Sequence, residues 1–277
     1  MDEPFSIRKY LRPIPLPFCP GCGGLTVMSE FLRAVHELGH ENLNKFVFCS
    51  GIGCSSWIPS PHFIADSVHT LHGRSIPVAT GIKLLRPDLN VVIFGGDGDI
   101  VGIGLSHFIH AARRNLDILV IMVNNMVYGM TGGQVAPTTP FKAKTTTTPY
   151  GSFEHPLDAA RLAVTAGASY VARWTTAHPN ELKESIKKAL KIQGFRYVEA
   201  VSQCPTAFGR RVGFKDAEEM LKWFKEEAIT IDQAESLNEE DLTGKIVVGE
   251  FVQRQRPTLV ETIHKTIREA QKEIEKS

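Results

Sequence analysis

Two apolar runs, VVIF at 91–94 and ILVIMV at 118–123, flank a helix-length segment, and neither alternates polar with apolar residues. A strand without a polar face has to be covered on both sides, which is the situation of a parallel sheet between layers of helices. The intervening stretch, 102–114, places Leu105, Phe108, Ile109 and Ala112 at the spacing of a helix with one buried face. The alternation extends along the chain. Helical spacing recurs at 25–38, 73–85, 156–166 and 181–192, and short apolar runs at 45–49, 169–174 and 197–201. The expected fold is therefore α/β, a mainly parallel sheet with helices on both faces. Residues 1–213 are expected to hold this sheet. Residues 214–277, with helix patterns at 216–228 and 258–276, read as a C-terminal helical extension packing on the core or on a partner.

Between the two apolar runs lies a sharper feature. The strand at 91–94 runs directly into GGDGD at 95–99, which sets Asp97 and Asp99 on a backbone almost free of side chains. A glycine turn from strand to helix normally offers backbone N–H groups to phosphate. Here there is no G-x-x-x-x-G-K-[ST], and the G-x-G-x-x-G register breaks at Val101, so neither a P-loop nor a dinucleotide fingerprint is present. Bare carboxylates repel phosphate unless a hard cation such as Mg²⁺ lies between them. A second oxygen ligand is then needed. The apolar run at 118–123 supplies one by ending in Asn124-Asn125, because neighbouring parallel strands bring their C-terminal ends to one edge. Asp97 and Asn125 are 28 positions apart, which accommodates a turn, a crossover helix and the next strand. Taken singly, Asp97 reads as a helix cap and the asparagines as a turn; the pair at this spacing favours the metal.

Composition limits the remaining options. With 43% hydrophobic and 22% charged residues, the 277-residue chain has enough apolar material for a large core. A net charge of +1 with only isolated basic pairs argues against nucleic acid as a partner. No stretch approaches the ~20 apolar residues of a membrane span, and a cytoplasmic protein is expected. Five cysteines, an odd number, do not suggest a disulfide framework. Cys19-Pro-Gly-Cys22 forms a C-x-x-C, Cys54 lies in SGIGCSS at 50–56, and Cys204 follows an expected strand. Four thiolates suit either zinc or a [4Fe–4S] cluster, and ligand count does not separate the two. Cys49, inside an apolar run, reads as core. Residues 124–152 carry no periodicity, only Gly, Pro, Thr and Lys with four threonines at 145–148; so long an irregular stretch is typically functional or mobile.

GDGD followed by NN resembles the magnesium and diphosphate motif of thiamine diphosphate enzymes. That resemblance implies Mg²⁺ ligation by Asp97, Asn125 and the Val127 carbonyl. The longer phrases CPGCG, SGIGCSS, HTLHGR, PVATG, GGDGD, HFIHAARRN, NNMVYGMTGGQ, PTTP and SQCPTAFGRR resemble the β subunit of 2-oxoacid:ferredoxin oxidoreductases, particularly the 2-oxoglutarate type, over 18–213. The resemblance implies [4Fe–4S] ligation by Cys19, Cys22, Cys54 and Cys204. It also implies contacts to thiamine diphosphate by Ile52, Gly53, Cys54, Ser55, Gly98, Asp99, Gly129 and Met130. The implied reaction is oxidative decarboxylation of a 2-oxoacid, with the acyl group passing to coenzyme A and electrons passing through the cluster to ferredoxin. An α subunit is implied as partner, because it supplies the glutamate that activates the cofactor; this chain alone is expected to be inactive. His69 and Arg74 are candidates beside the reacting centre; His72 is a weaker one, and His107 and His110 read as structural. Two positions depart from some relatives. Trp57 and Gly132 stand where a basic residue and a lysine occur, so pyruvate, branched-chain or aryl 2-oxoacids compete with 2-oxoglutarate as substrate. A non-redox thiamine diphosphate decarboxylase or synthase and a zinc-stabilised binding module are the competing functions.

Overall fold

A computed structural model describes residues 4–275. Its centre is an eight-stranded sheet. Strands β1 (Phe46–Ser50), β2 (Asp66–His69), β3 (Asn90–Gly96) and β4 (Leu119–Asn124) come from the first half of the chain. The pair β5 (Val127–Tyr128) and β6 (Gln134–Val135) forms a separate small hairpin. Strands β7 (Tyr170–Thr175), β8 (Arg196–Val201), β9 (Ala228–Thr230) and β10 (Ile246–Gln253) complete the set. The order across the sheet is β2-β1-β3-β4-β8-β7-β10-β9, parallel except where β10 runs antiparallel to β7. The chain adds β2 on one side of β1 and then returns to place β3 on the other, so the strand order reverses at β1 and β3. In open α/β sheets a ligand crevice opens at such a reversal, beyond the carboxyl ends of the strands.

Alternating side chains divide the core into two layers. Phe46, Phe48, Val92, Phe94, Ile121 and Val198 face α1 (Gly24–Glu37) and, further along, the helix Pro179–Lys191. Val91, Ile93, Val120, Met122 and Tyr197 face the opposite layer, built from α2 (Ser75–Leu85), α3 (Leu105–Arg113) and α4 (Ala159–Ala166). Both faces are covered, as the unbroken apolar runs require. The helix ends follow from local chemistry. Asp158 caps α4 by accepting from the Arg161 N–H at 3.0 Å, and Gly167 ends it in the left-handed region at φ 102°.

Helices form at Ala217–Glu227 and Leu259–Ile274 in the C-terminal region, whose expected last residue lies outside the described ones. The picture of a purely helical extension needs correction, because β10 and β9 extend the main sheet from within 214–277. Their signal is weak for physical reasons. β10 is interrupted by Gly249, has a register shift between Glu250 and Val252, and packs as an antiparallel addition near the edge. β2 is short, polar and mostly exposed, and it forms against the free side of β1. Residues 124–152 are held by side-chain bonds: Val135 N–H donates to Thr147 Oγ1 at 3.0 Å, and Thr145 and Thr148 bond through their hydroxyls at 2.7 Å. Among the described residues no helix is long and apolar enough to cross a membrane.

Phe31 is the keystone of one layer, with ring centroids 5.1 Å from Phe94, 5.7 Å from Phe48 and 6.0 Å from Phe63. Phe31→Ala is expected to lower unfolding free energy by about 3–5 kcal/mol in chemical denaturation. A loss near zero would mean that this aromatic layer is not what holds α1 on the sheet.

Candidate active site

The parallel strands present their carboxyl ends on one edge, and the chemistry-bearing residues follow from there. Asp97 comes directly after β3 and leads into a wide helical turn, Gly98–Ile103. It is 1% exposed. The Thr138 hydroxyl donates to its Oδ2. Burial pushes its pKa up to about 7, against the opposing pull of Thr138 and the backbone N–H groups of Asp97, Gly98 and Asn125. Asn125, just past β4, accepts from the Val127 N–H through Oδ1 at 3.3 Å. A carboxylate, a side-chain amide and a nearby main-chain carbonyl at Val127 make an all-oxygen donor set of the kind a hard divalent cation takes. A cation there would also offset the cost of keeping Asp97 charged.

Two of the cysteines approach from strand ends and two from the segment before α1. Cys54 opens the short helical turn Cys54–Trp57 after β1, Cys204 follows β8, and Cys19 and Cys22 precede α1. Burial raises the Cys22 thiol to about 11, and the thiols of Cys204, Cys54 and Cys19 raise it further; the Gly24 backbone N–H opposes this. Cys204 is likewise raised by burial and by Cys19, while the N–H groups of Ala207 and Phe208 lower it. Cys22, Cys54 and Cys204 are therefore each raised in part by neighbouring thiols of the set. Yet among the described residues no group of three or more His, Cys, Asp or Glu side chains is gathered to hold a metal ion. Cys49 stands apart, fully buried in the opposite core layer, where burial alone raises it to about 12.

Gly129 joins the two halves of the site. A Cβ added there would lie 3.3 Å from Asn125 Nδ2 and 3.6 Å from Cys204 Sγ, so both side chains come close to the backbone at 129. Gly98 is more tightly constrained, since a Cβ there would collide with the Tyr128 ring. Tyr128 donates to the Gly98 carbonyl at 3.2 Å. Close packing of this kind explains why position 98 needs the smallest residue.

Asp99 turns into the protein. Its Oδ1 accepts from the Gly73 N–H at 2.7 Å and the Ile52 N–H at 3.2 Å, which ties the loops after β1 and β2 together. His72 Nδ1 lies 2.6 Å from the same oxygen, in a poorly aligned electrostatic contact. Gly53 takes φ 140°, a conformation that suits glycine, and Ser55 is buried beside it. Ile52 and Met130 remain exposed. His69 is exposed and lies edge-on to Trp57, with ring centroids 6.2 Å apart. Arg74, also exposed, donates to its own neighbour, the Gly73 carbonyl, at 3.3 Å. Thr138 and Tyr128 are site residues that the reading of carboxylates and cysteines passed over. Both lie in phrases already singled out, PTTP and NNMVYGMTGGQ, so the signal was present without a chemical reason to act on it.

The family model of the thiamine pyrophosphate enzyme C-terminal TPP-binding domain matches residues 51–200. The 2-oxoglutarate synthase subunit KorB of Methanocaldococcus jannaschii is 51% identical over 267 residues, covering 96% of this chain and 98% of that protein. The chain belongs to the β subunits of the 2-oxoacid:ferredoxin oxidoreductases. The β subunit from Saccharolobus solfataricus is 45% identical over 192 residues, 68% of this chain and 62% of that one. A solved 2-oxoglutarate:ferredoxin oxidoreductase from Magnetococcus marinus, with 2-oxoglutarate, coenzyme A and succinyl-CoA bound, superposes with a TM-score of 0.84. It is 36% identical, and the match covers 97% of this chain and 91% of that one. Within this β subunit, the TPP-domain match contains Asp97, Asn125 and Cys54 but not Cys19, Cys22 or Cys204.

Because Asp97 is a buried charge without a cationic side chain among its contributing neighbours, Asp97→Asn is expected to leave the metal-free chain at least as thermally stable as wild type in mildly alkaline buffer. A melting midpoint several degrees lower would show that the ionised carboxylate holds the turn together by itself.

Proposed function

We propose that this β subunit carries Mg²⁺ and thiamine diphosphate on Asp97, Asn125 and the Val127 carbonyl, and a [4Fe–4S] cluster on Cys19, Cys22, Cys54 and Cys204. The assembled enzyme then performs CoA-dependent oxidative decarboxylation of 2-oxoglutarate. The observation that carries the proposal is the convergence at Gly129, where the Asn125 and Cys204 side chains both come close to one backbone position. When bound, thiamine diphosphate supplies the electron sink for losing CO₂ from the 2-oxoacid. The chain's own residues bind and orient it. Asp97 and Asn125 anchor the cation, Gly98, Gly129 and Met130 leave room beside it, and the stretch Ile52 to Ser55 lines the approach from β1. Asp99 braces that stretch against Gly73. The thiols of Cys22, Cys54 and Cys204 are each raised by neighbouring thiols of the set, and the match to ferredoxin-linked β subunits supports the cluster over zinc.

An α-subunit partner is implied by the relatives, each named as a subunit of an enzyme. Glu199, buried close to the turn, is committed to Asn124 and Arg173, which fits activation of the cofactor by a glutamate of the α subunit. The loops around the site carry exposed apolar side chains, with Leu71 at 79% and Ile103 at 50%, suited to cover by that subunit. Ferredoxin is the proposed electron acceptor, and Cys19, the exposed member of the thiol set, marks the outward side. His69 and Arg74 are proposed at the substrate's edge of the site. The KorB relatives and the 2-oxoglutarate-bound neighbour support 2-oxoglutarate as substrate. The apolar face of Trp57 beside His69 favours a branched or aryl 2-oxoacid as the second reading.

The α subunit co-expressed with this chain and purified without oxygen is expected to be brown, to contain iron, and to reduce a low-potential acceptor only when CoA is present. Its highest kcat/KM is expected with 2-oxoglutarate in a panel that includes pyruvate, branched-chain and aryl 2-oxoacids; the isolated chain is expected to give no turnover. An active, iron-free enzyme would contradict the cluster, and a higher kcat/KM on pyruvate or an aryl 2-oxoacid would contradict the substrate.

A further inference from the structure

The first asparagine of the pair, Asn124, has a different assignment from the second. It is buried, at 6% exposure, and its Nδ2 donates to Glu199 Oε1 at 2.8 Å. Its Oδ1 accepts from the Met126 N–H at 3.1 Å. Met126 has φ 65°, a left-handed conformation that is uncommon for a residue with a side chain, and its carbonyl accepts from the Thr139 hydroxyl at 2.6 Å. Asn125 and Val127 are therefore presented from either side of a strained residue.

Glu199 comes from β8, beside β4, and is 2% exposed. Its other oxygen accepts from Arg173 Nε at 2.9 Å. Arg173 is held independently. It donates to Asp158 Oδ1, donates to the Val247 carbonyl at 3.4 Å, and lies over the Phe251 ring at 5.3 Å. A carboxylate only accepts hydrogen bonds, so the Asn124 amide has one allowed orientation, NH₂ toward Glu199 and oxygen toward Met126.

We infer that Glu199 is a positioning residue for the cation-binding turn, fixing the Asn124 amide and, through it, the Met126 conformation that sets Asn125 and Val127. The inference rests on the proposed Mg²⁺ site and adds a residue that touches neither metal nor cofactor. Outer groups that orient a ligand commonly carry substantial metal affinity.

The hydrogen-bond logic makes a reciprocal test possible. In Glu199→Gln the shape is kept, but the oxygen of the new amide is taken by Arg173 and its NH₂ faces the NH₂ of Asn124. Relief requires Asn124 to turn over, which then sets a donor against the Met126 N–H. In Asn124→Asp alone, two carboxylates meet. In the double variant, the carboxylate introduced at 124 accepts from both the side-chain amide introduced at 199 and the Met126 N–H, and the pattern is restored.

The experiment uses the complex with its α subunit and titrates thiamine diphosphate by calorimetry across a series of Mg²⁺ concentrations. Half-saturating Mg²⁺ is expected to rise by about tenfold or more in E199Q and in N124D, and to return close to wild type in N124D/E199Q. Amide hydrogen exchange over 119–128 in the metal-free complex is expected to quicken in each single variant and to recover in the double. N124A keeps the Arg173–Glu199 pair and is expected to match the single variants on both readouts, which covers the case of E199Q failing to fold. Wild-type Mg²⁺ response and exchange in E199Q and N124A, or a double variant worse than either single, would overturn the inference. The exchange readout needs no bound metal, so a wild-type complex that binds no Mg²⁺ would defeat the proposed function while the Glu199 network stayed decidable.

Discussion

The parallel register of β3, β4 and β8 sets the geometry on which everything at the sheet edge depends. Gly96 pairs with Val123 and Asn124 with Val201, so the residues that follow, Asp97, Asn125 and Ser202 onward, leave the sheet at nearly the same height. Parallel pairing is what brings side chains distant in sequence to one edge. A shift of one residue would send Asn124 and Asn125 to each other's side of the sheet, because successive side chains point to opposite faces.

On this frame the protein places charges that only make sense with partners. Asp97 is buried and raised in pKa, which is an unfavourable state for a lone carboxylate and a suitable one for a cation ligand. Glu199, also buried, has its partners within the chain: Arg173 on one oxygen and Asn124 on the other. The two acids thus divide the work. In the proposed site one is a metal ligand, and the other uses protein hydrogen bonds to hold the turn that carries Asn125.

Much of this was legible in the residues. The runs at 91–94 and 118–123 read as buried strands and are β3 and β4, and each leads into a polar residue of the proposed site. Asp97, Asn125 and the cysteines were visible because they carry chemistry at unusual spacing. β2 and β10 were not, since a short polar edge strand and a glycine-broken antiparallel one carry neither clean period. Glu199 was hidden for a different reason. In YVEAV it reads as one polar residue interrupting an apolar strand, and only the fold reveals that Arg173 and Asn124 lie on either side of it. Asp99, for which the resemblance implies a cofactor contact, also accepts through Oδ1 from the backbone N–H groups of Ile52 and Gly73, a role the residues alone do not reveal.

The central claim is that cation and cluster are neighbours, since Asn125 and Cys204 both come close to Gly129. It is tested most directly by exchanging Mg²⁺ for Mn²⁺ in the assembled enzyme and recording the electron paramagnetic resonance of the reduced cluster. The account requires the manganese to quicken the relaxation of the cluster signal and broaden it, and requires this effect to vanish in Asp97→Asn. A cluster signal that is the same with and without bound manganese would contradict it.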